Sequence, residues 1–186
     1  NDGDLDLAVG NFGVVGNDAQ NVVYPNNGDG TFGTAINFGT GRDYTASVAW
    51  GDFDNDGDLD LAVANSGEQD AVYPNNGDGT FGTAINYGTG TDSTRDVAWG
   101  DFDNDGDLDL ASVVFSGQDV VYPNNGDGTF GTAINFGTGS DFTNCVAWGD
   151  FDNDGDLDLA AGSFSQNAVY PNNGDGTFGT AINFGT

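Results

Sequence analysis

The sequence predicts an all-β chain made of repeated four-stranded antiparallel units, and three observations carry that expectation. Helix formers are scarce: there is no Met, no Lys and a single Glu (Glu68), while 32 Gly and many Val, Thr, Phe and Tyr favour strands and tight turns. The segment VAWGDFDNDGDLDLA begins at Val48, Val97 and Val146, and YPNNGDGTFGTAIN begins at Tyr24, Tyr73, Tyr122 and Tyr170, spaced by 49, 49 and 48 residues. Each unit then divides into four extended stretches separated by turn-forming residues.

Read from Ser47, the first stretch is SVAWGDF, ended by the oxygen-rich loop DNDGD. LDLAVAN follows and closes in the polar turn NSGEQ. AVYPN leads into NNGDG, whose Gly and Asn tolerate the positive φ of a hairpin turn. TFGTAINYG is the fourth stretch, and TGTDST connects to the next unit. Four short strands in about 40 to 50 residues is the arithmetic of a propeller blade. A stacked β-solenoid is the alternative, but its coils need far fewer residues per turn. The chain divides into a partial blade at 1–41, which lacks its first strand, and blades at 42–90, 91–139 and 140–186. It begins at Asn1, without Met and inside a motif, as a processed or truncated product would.

In an up-and-down blade successive connections alternate between the two ends, so DNDGD and NNGDG share one face and the other two connections share the opposite one. The first pair is nearly invariant among the repeats, whereas the second varies and carries both arginines and several aromatics. That division makes Arg42, Tyr44, Arg95, Phe115, Phe142 and Phe164 the candidate ligand-binding residues.

The formal charge is −28, from 30 acidic residues against Arg42 and Arg95, with no His. Such a chain is repelled by nucleic-acid phosphates and anionic membrane surfaces, which excludes nucleic-acid partners. No apolar run approaches the roughly 18 to 20 residues of a membrane helix, so membrane insertion is not expected. Cations are the natural complement.

Asp52, Asp54, Asp56 and Asp60 stand at positions 1, 3, 5 and 9 of D-x-D-x-D-G-x-x-D, with Gly57 at position 6 for the sharp turn. Alternate residues of a tight loop converge on one point, and Asp58 at position 7 adds a backbone carbonyl; hard oxygen donors in that number suit Ca²⁺. The pattern recurs as Asp101, Asp103, Asp105, Asp107 and Asp109, and as Asp150, Asp152, Asp154, Asp156 and Asp158. At the amino end only Asp2, Asp4 and Asp6 remain, a partial site. Three complete Ca²⁺ sites and one partial site are therefore expected. Acidic, soluble turns without metal are the plain alternative, set against three copies of one ligand spacing. An EF-hand would need Glu at position 12, where Val63 stands, and flanking helices. Thrombospondin-type calcium repeats would be rich in cysteine.

DFDNDGDLDLA followed at fixed offset by NNGDGTFG resembles the FG-GAP and VCBS-type repeats, known from the integrin α-subunit propeller and from secreted bacterial proteins. The resemblance covers essentially the whole chain. It implies a β-propeller, with Asp52, Asp54, Asp56, the Asp58 carbonyl and Asp60 as the calcium ligands of one blade and their counterparts in the next two. It also implies an extracellular or cell-surface setting, since family members are mostly binding or adhesion modules, some being lectins and some appended to enzymes. Such propellers have about seven blades, and this chain has fewer than four; the near-identity of its repeats suggests recent duplication or consensus design.

Trp50, Trp99 and Trp148 end the first strand of each full blade; inter-blade packing is expected of them ahead of sugar stacking. Phe32, Phe81, Phe130 and Phe178 read as core, and Asp29, Asp78, Asp127 and Asp175 as turn acids. Cys145 aligns with Asp96 and Ser47, a variable position rather than a nucleophile, and a single cysteine excludes a disulfide framework.

Catalysis has little footing, with no His, no nucleophile paired to a base and no phosphate-binding loop. A glycosidase-like carboxylate pair would have to come from the eight acids outside the aspartate loops and NNGDG turns, which hold 22 of the 30. The expected function is a calcium-binding propeller that recognises a protein or glycan through its variable loops. The alternatives are a structural or designed self-assembling scaffold, and the non-catalytic propeller of a secreted enzyme. Because the stretch equivalent to Gly90 through Asp103 is missing from the first repeat, completion by a longer chain or by self-association is expected.

Overall fold

The computed structural model describes residues 3–13 and 20–185. They contain no helix, hence none long and apolar enough to cross a membrane. Four antiparallel sheets follow one another along the chain. The first has three strands, β1 (Leu7–Val9), β2 (Asn21–Tyr24) and β3 (Ile36–Phe38). The second has four: β4 (Thr45–Gly51), β5 (Asp60–Asn65), β6 (Asp70–Tyr73) and β7 (Ile85–Tyr87). The third comprises β8 (Thr94–Gly100), β9 (Asp109–Val114), β10 (Asp119–Tyr122) and β11 (Ile134–Phe136). The fourth comprises β12 (Thr143–Gly149), β13 (Asp158–Ser163), β14 (Asn167–Tyr170) and β15 (Ile182–Phe184). Every sheet is a meander, so this is a propeller of just under four blades in an open, partial ring.

The fourth strand is shorter than the sequence suggests. In TFGTAINYG only Ile85–Tyr87 pairs with β6, and Phe81 makes a single bridge to Asn75. The turn itself closes this end: Asn76 N–H donates to the Thr80 carbonyl at 3.0 Å and Gly82 N–H to the Pro74 carbonyl at 2.7 Å. The turn acids act as expected, Asp29 accepting both the amide and the hydroxyl of Thr31 at 3.0 and 2.6 Å.

Apolar side chains are buried between sheets rather than within one. Phe53, Ala62, Val72 and Tyr87 of the second sheet meet Val97, Leu110 and Trp99 of the third, and Phe102, Val121 and Phe136 of the third meet Val146, Leu159 and Trp148 of the fourth. A smaller layer joins Val23 and Phe38 to Leu61, Val63 and Trp50. The tryptophans pack between blades, and two also donate backward: Trp99 Nε1–H to the Ala49 carbonyl at 3.2 Å, Trp148 Nε1–H to the Ala98 carbonyl at 3.0 Å.

The two terminal sheets leave half an interface uncovered. Phe53 and Phe102 are 0% and 1% exposed beneath the Trp and Phe of the following blade, whereas the equivalent Phe151 is 55% exposed. Phe32, expected in the core, is instead 53% exposed: Phe81, Phe130 and Phe178 pack on Phe38, Tyr87 and Phe136 of the blade before them, and among the described residues no such ring from another blade meets Phe32. Between the first and second sheets, a 250 Å³ cavity lined by Val23, Ile36, Trp50 and Phe81 lies where Phe53 and Phe102 stand in the later interfaces.

Candidate functional site

The loops between the first two strands of each full blade bring together three of the four acids whose spacing points to one centre, those at positions 1, 3 and 9. Oxygens of Asp52, Asp54 and Asp60 lie within 4.8 Å of one another, as do those of Asp101, Asp103 and Asp109, and of Asp150, Asp152 and Asp158. The loop is wound by its own side chains: Gly57 N–H donates to Asp52 Oδ2 at 3.2 Å, Asp56 N–H to Asp54 Oδ1 at 3.3 Å, and Asp58 N–H to Asp56 Oδ1 at 2.8 Å. Asp105 and Asp154 likewise accept from the amides of Asp107 and Asp156, at 2.9 and 3.0 Å. Asp56, Asp105 and Asp154 stand outside the triads.

Gly57, with φ 91°, makes the turn that an L side chain resists, and Asn55, Asn104 and Asn153 adopt φ of 59°, 60° and 62° beside the equivalent glycines. Asp52 Oδ1 is buried and has no hydrogen-bond partner. A buried, unpartnered oxygen on a carboxylate grouped with two more fits a hard cation, which would replace the missing donor and offset the charge. Burial and then the neighbouring Asp105 raise the pKa of Asp103, and burial and then Asp154 raise that of Asp152.

Asp60 has a second task that the sequence does not disclose. Its Oδ2 accepts Phe53 N–H and its Oδ1 accepts Asn75 N–H, both at 2.7 Å, so one buried carboxylate joins the aspartate loop to the hairpin turn. Asp109 repeats this with Phe102 and Asn124, and Asp158 with Phe151 and Asn172. Burial, the dominant influence, pushes Asp60 and Asp109 up to about 6. In the partial site Asp6 Oδ1 accepts Asn26 N–H at 2.8 Å, Asp4 and Asp6 are exposed, and Asp2 lies outside the described residues. Among the described residues no fourth triad forms there.

At the opposite end of the blades the ligand candidates fall into two groups. Tyr44 meets Phe12 edge-on at 5.8 Å. Phe115 meets Phe142 at 5.2 Å and Phe164 at 6.2 Å, with the Arg95 guanidinium 4.9 Å above its ring. Arg42 is exposed and joins neither group. Each inner strand carries a register shift near its start, between Thr45 and Ser47, Thr94 and Asp96, and Thr143 and Cys145. Arg95 is thus the extra residue of a bulge, which re-aims its side chain toward Phe115. Together with Ala46 and Asn144, the other two bulge residues, Arg95 lines an open cleft of 610 Å³ that also includes Phe12, Ser47 and Asp96. Asp96 knits three blades there, accepting Ser47 Oγ–H at 2.7 Å and Val146 N–H at 3.0 Å. Arg95 Nε is buried and has no hydrogen-bond partner.

A further set escaped the sequence reading although its signal was present. Asn21, Asp70, Asp119 and Asn167 recur at the repeat spacing and begin the third strand of each full blade and its counterpart, β2, in the three-stranded first sheet. Asp70 accepts Asn65 N–H and Thr94 Oγ–H, both at 2.6 Å; Asp119 accepts Val114 N–H at 2.8 Å and Thr143 Oγ–H at 2.6 Å. Burial pushes Asp70 up to about 7 and Asp119 up to about 6.

Comparison with curated protein sequences gives no match. Among solved structures, the chain is similar to an Agrocybe aegerita lectin described as specifically recognising non-reducing terminal N-acetylglucosamine, with 24% identity over 90% of this chain and a TM-score of 0.61. The chain spans 46% of that lectin's length. It is also similar to the Photorhabdus luminescens Tc holotoxin pore, at 19% identity over 96% of this chain and 9% of that one, with a TM-score of 0.48. The family model for the FG-GAP-like repeat matches residues 1–63, 52–112, 101–161 and 150–186, so that its four copies tile the sequence from end to end. With its meander blades and its aspartate loops between first and second strands, the chain belongs to the FG-GAP-like repeat family.

Proposed function

We propose that the chain is a calcium-stabilised recognition module that acts outside the cell and binds a glycan at its variable-loop face. The observation that carries this reading is the cleft at the bulges of the three complete inner strands. It combines the hydrogen-bonding groups of Arg95, Asp96, Asn144 and Ser47 with an aromatic ring, Phe12, the mixture that suits a hydroxyl-rich ligand. The Arg95 guanidinium stands over Phe115, through which Phe142 and Phe164 extend the site. The lectin neighbour supports a glycan ahead of a protein ligand, although the likeness itself is one of fold.

Calcium belongs to the same reading. Asp52, Asp54 and Asp60 and their counterparts would hold the ion, joined by Asp56 and the Asp58 carbonyl; the ion would supply charge compensation and hold the loop closed. Three divalent ions would bring the formal charge from −28 to −22. The absence of a histidine and of a nucleophile with a base supports a non-catalytic role.

A glycan array probed with the calcium-saturated chain tests the proposal. Binding to a defined glycan set that is lost in Arg95→Ala and Asn144→Ala is expected. Binding that survives both and Phe115→Ala, while changes in the 74–84 turn abolish it, would overturn the site.

A second reading, assembly, is favoured by the uncovered terminal faces, where Phe151 and Phe184 stand open at one end and Leu7 and Phe32 at the other. These are the two halves of the interface already built between the central blades. Another blade of the same kind, from a longer chain or a second copy, would cover them.

A further inference from the structure

The acid triads of different blades are joined by an unbroken line of short hydrogen bonds. Phe53 lies between Asp52 and Asp54. Its N–H donates to Asp60 Oδ2 at 2.7 Å, and its carbonyl accepts Asn124 Nδ2–H from the next blade at 2.7 Å. The Asn124 N–H in turn donates to Asp109 Oδ1 at 2.8 Å, a member of the next triad. The line continues in the same form: Asp109 Oδ2 accepts Phe102 N–H, the Phe102 carbonyl accepts Asn172 Nδ2–H, and Asn172 N–H donates to Asp158 Oδ1, each at 2.7 Å. Phe53, Phe102, Asn124 and Asn172 are all buried, so water cannot stand in for a lost partner.

A second, exposed line runs parallel. Asn55 Nδ2–H donates to Asp107 Oδ1 at 2.5 Å and Asn104 Nδ2–H to Asp156 Oδ1 at 2.6 Å, each linking position 4 of one loop to position 7 of the next. Both asparagines hold the left-handed backbone that the loop turn imposes, so their amides point at the neighbour only while their own loop is wound.

We propose that the three loops bind calcium cooperatively, each filled loop raising the affinity of its neighbours through Asn124 and Asn172 in the interior and Asn55 and Asn104 at the surface. The inference rests on the calcium reading. An ion held by Asp52, Asp54 and Asp60 fixes the Phe53 peptide groups between them. That carbonyl orients the Asn124 side chain, and the Asn124 amide holds a carboxylate of the next triad in place. Ordering one loop thus removes part of the ordering cost of the next. Repulsion between successive ions opposes this, but it acts across exposed loops, where salt screens charges beyond about 8 to 10 Å.

Calcium titration of the full chain by calorimetry tests the proposal, in the wild type and in three variants. Stepwise affinities should rise, with a neighbour's occupancy worth about tenfold. Asn124→Ala should cut the coupling between the second and third blades to what the Asn55 bond alone carries. Asn55→Gly with Asn104→Gly, which keeps the left-handed backbone and only deletes the exposed amides, should reduce it without unfolding the chain. Asn153→Gly, with no following loop among the described residues, should leave it unchanged. Independent sites in the wild type, or coupling untouched by all of these substitutions, would overturn the proposal. A metal-free arm keeps the two readings apart: in excess chelator, Asp60→Asn should speed amide hydrogen exchange at Phe102 and Asn124 several-fold, and should no longer do so at Phe102 when combined with Asn124→Ala. Should no calcium bind at all, the calcium reading fails, and the exchange arm decides whether the relay couples the loops.

Discussion

The indole of Trp99 rests on Gly51 of the preceding blade, so closely that a Cβ at Gly51 would lie 2.6 Å from its ring. Trp148 stands in the same relation to Gly100, at 2.7 Å, whereas nothing lies within 4 Å of a Cβ at Gly149. The glycine that follows each tryptophan is therefore a clearance for the next blade's ring. Gly51→Ala should destabilise the chain by about 1–3 kcal/mol, because backbone and indole must move apart. Gly149→Ala should change stability by less than about 0.5 kcal/mol. Urea unfolding of the two variants makes the comparison, and equal effects would show that the close approach is not limiting.

Stability should fall as pH rises through the range in which Asp70 and Asp119 ionise. Burial holds Asp70 at about 7 and Asp119 at about 6, above the 3.8 of a free carboxyl, and Asp92 and Asp141 reinforce the respective shifts. Between about pH 4 and 7 the folded chain retains protons that the unfolded chain has released. Raising the pH across that window therefore favours unfolding. Asp70→Asn should flatten this dependence and stabilise the chain at pH 8, on the order of 2 kcal/mol. The first blade already contains the neutral arrangement, Asn21 Nδ2–H donating to Thr45 Oγ at 2.8 Å. Parallel unfolding curves of variant and wild type from pH 5 to 8 would refute the assignment.

Chelation should lower the melting temperature, since an ion that binds only the folded state stabilises it by mass action. Asp54→Ala removes a member of one triad and should reduce calorimetric stoichiometry by one ion per chain. Asp29→Ala, which removes only the turn bonds to Thr31, should leave it unchanged. A melting curve indifferent to excess chelator would sink the calcium reading.

The cavity between the first and second sheets should accept a strand that carries phenylalanine. Its walls, Trp50 and Phe81, are the counterparts of the Trp99 and Phe130 that enclose Phe53. A synthetic peptide with the sequence TRDVAWGDF, residues 94–102, should bind at the free edge of β1. Replacing its terminal Phe with Ala should weaken binding about tenfold or more. Fluorescence titration measures both, and equal affinities would show that the cavity is not the docking point.

The repeat, the four strands per unit, the division of loops between two faces and the convergence of Asp52, Asp54 and Asp60 were legible in the sequence, because period, turn residues and alternating acids are local properties of the chain. Position 9 was legible only in part: its spacing marks Asp60 as an acid near the loop, but not as the carboxylate that ties Phe53 to Asn75, since that bond joins segments brought together by strand pairing. The core role of the phenylalanines was inferred uniformly and fails at Phe32, because burial here is set by the adjacent blade rather than by the residue itself. The register shift that turns Arg95 onto Phe115 leaves no mark in composition or period, and the hydrogen bonds from Asn55 to Asp107 and from Asn124 to Phe53 cross 52 and 71 residues. Local pattern thus determined what each blade is, while the packing of one blade on the next decided which polar groups are buried, which loops touch and where a cleft opens, because those depend on contacts that no single repeat contains.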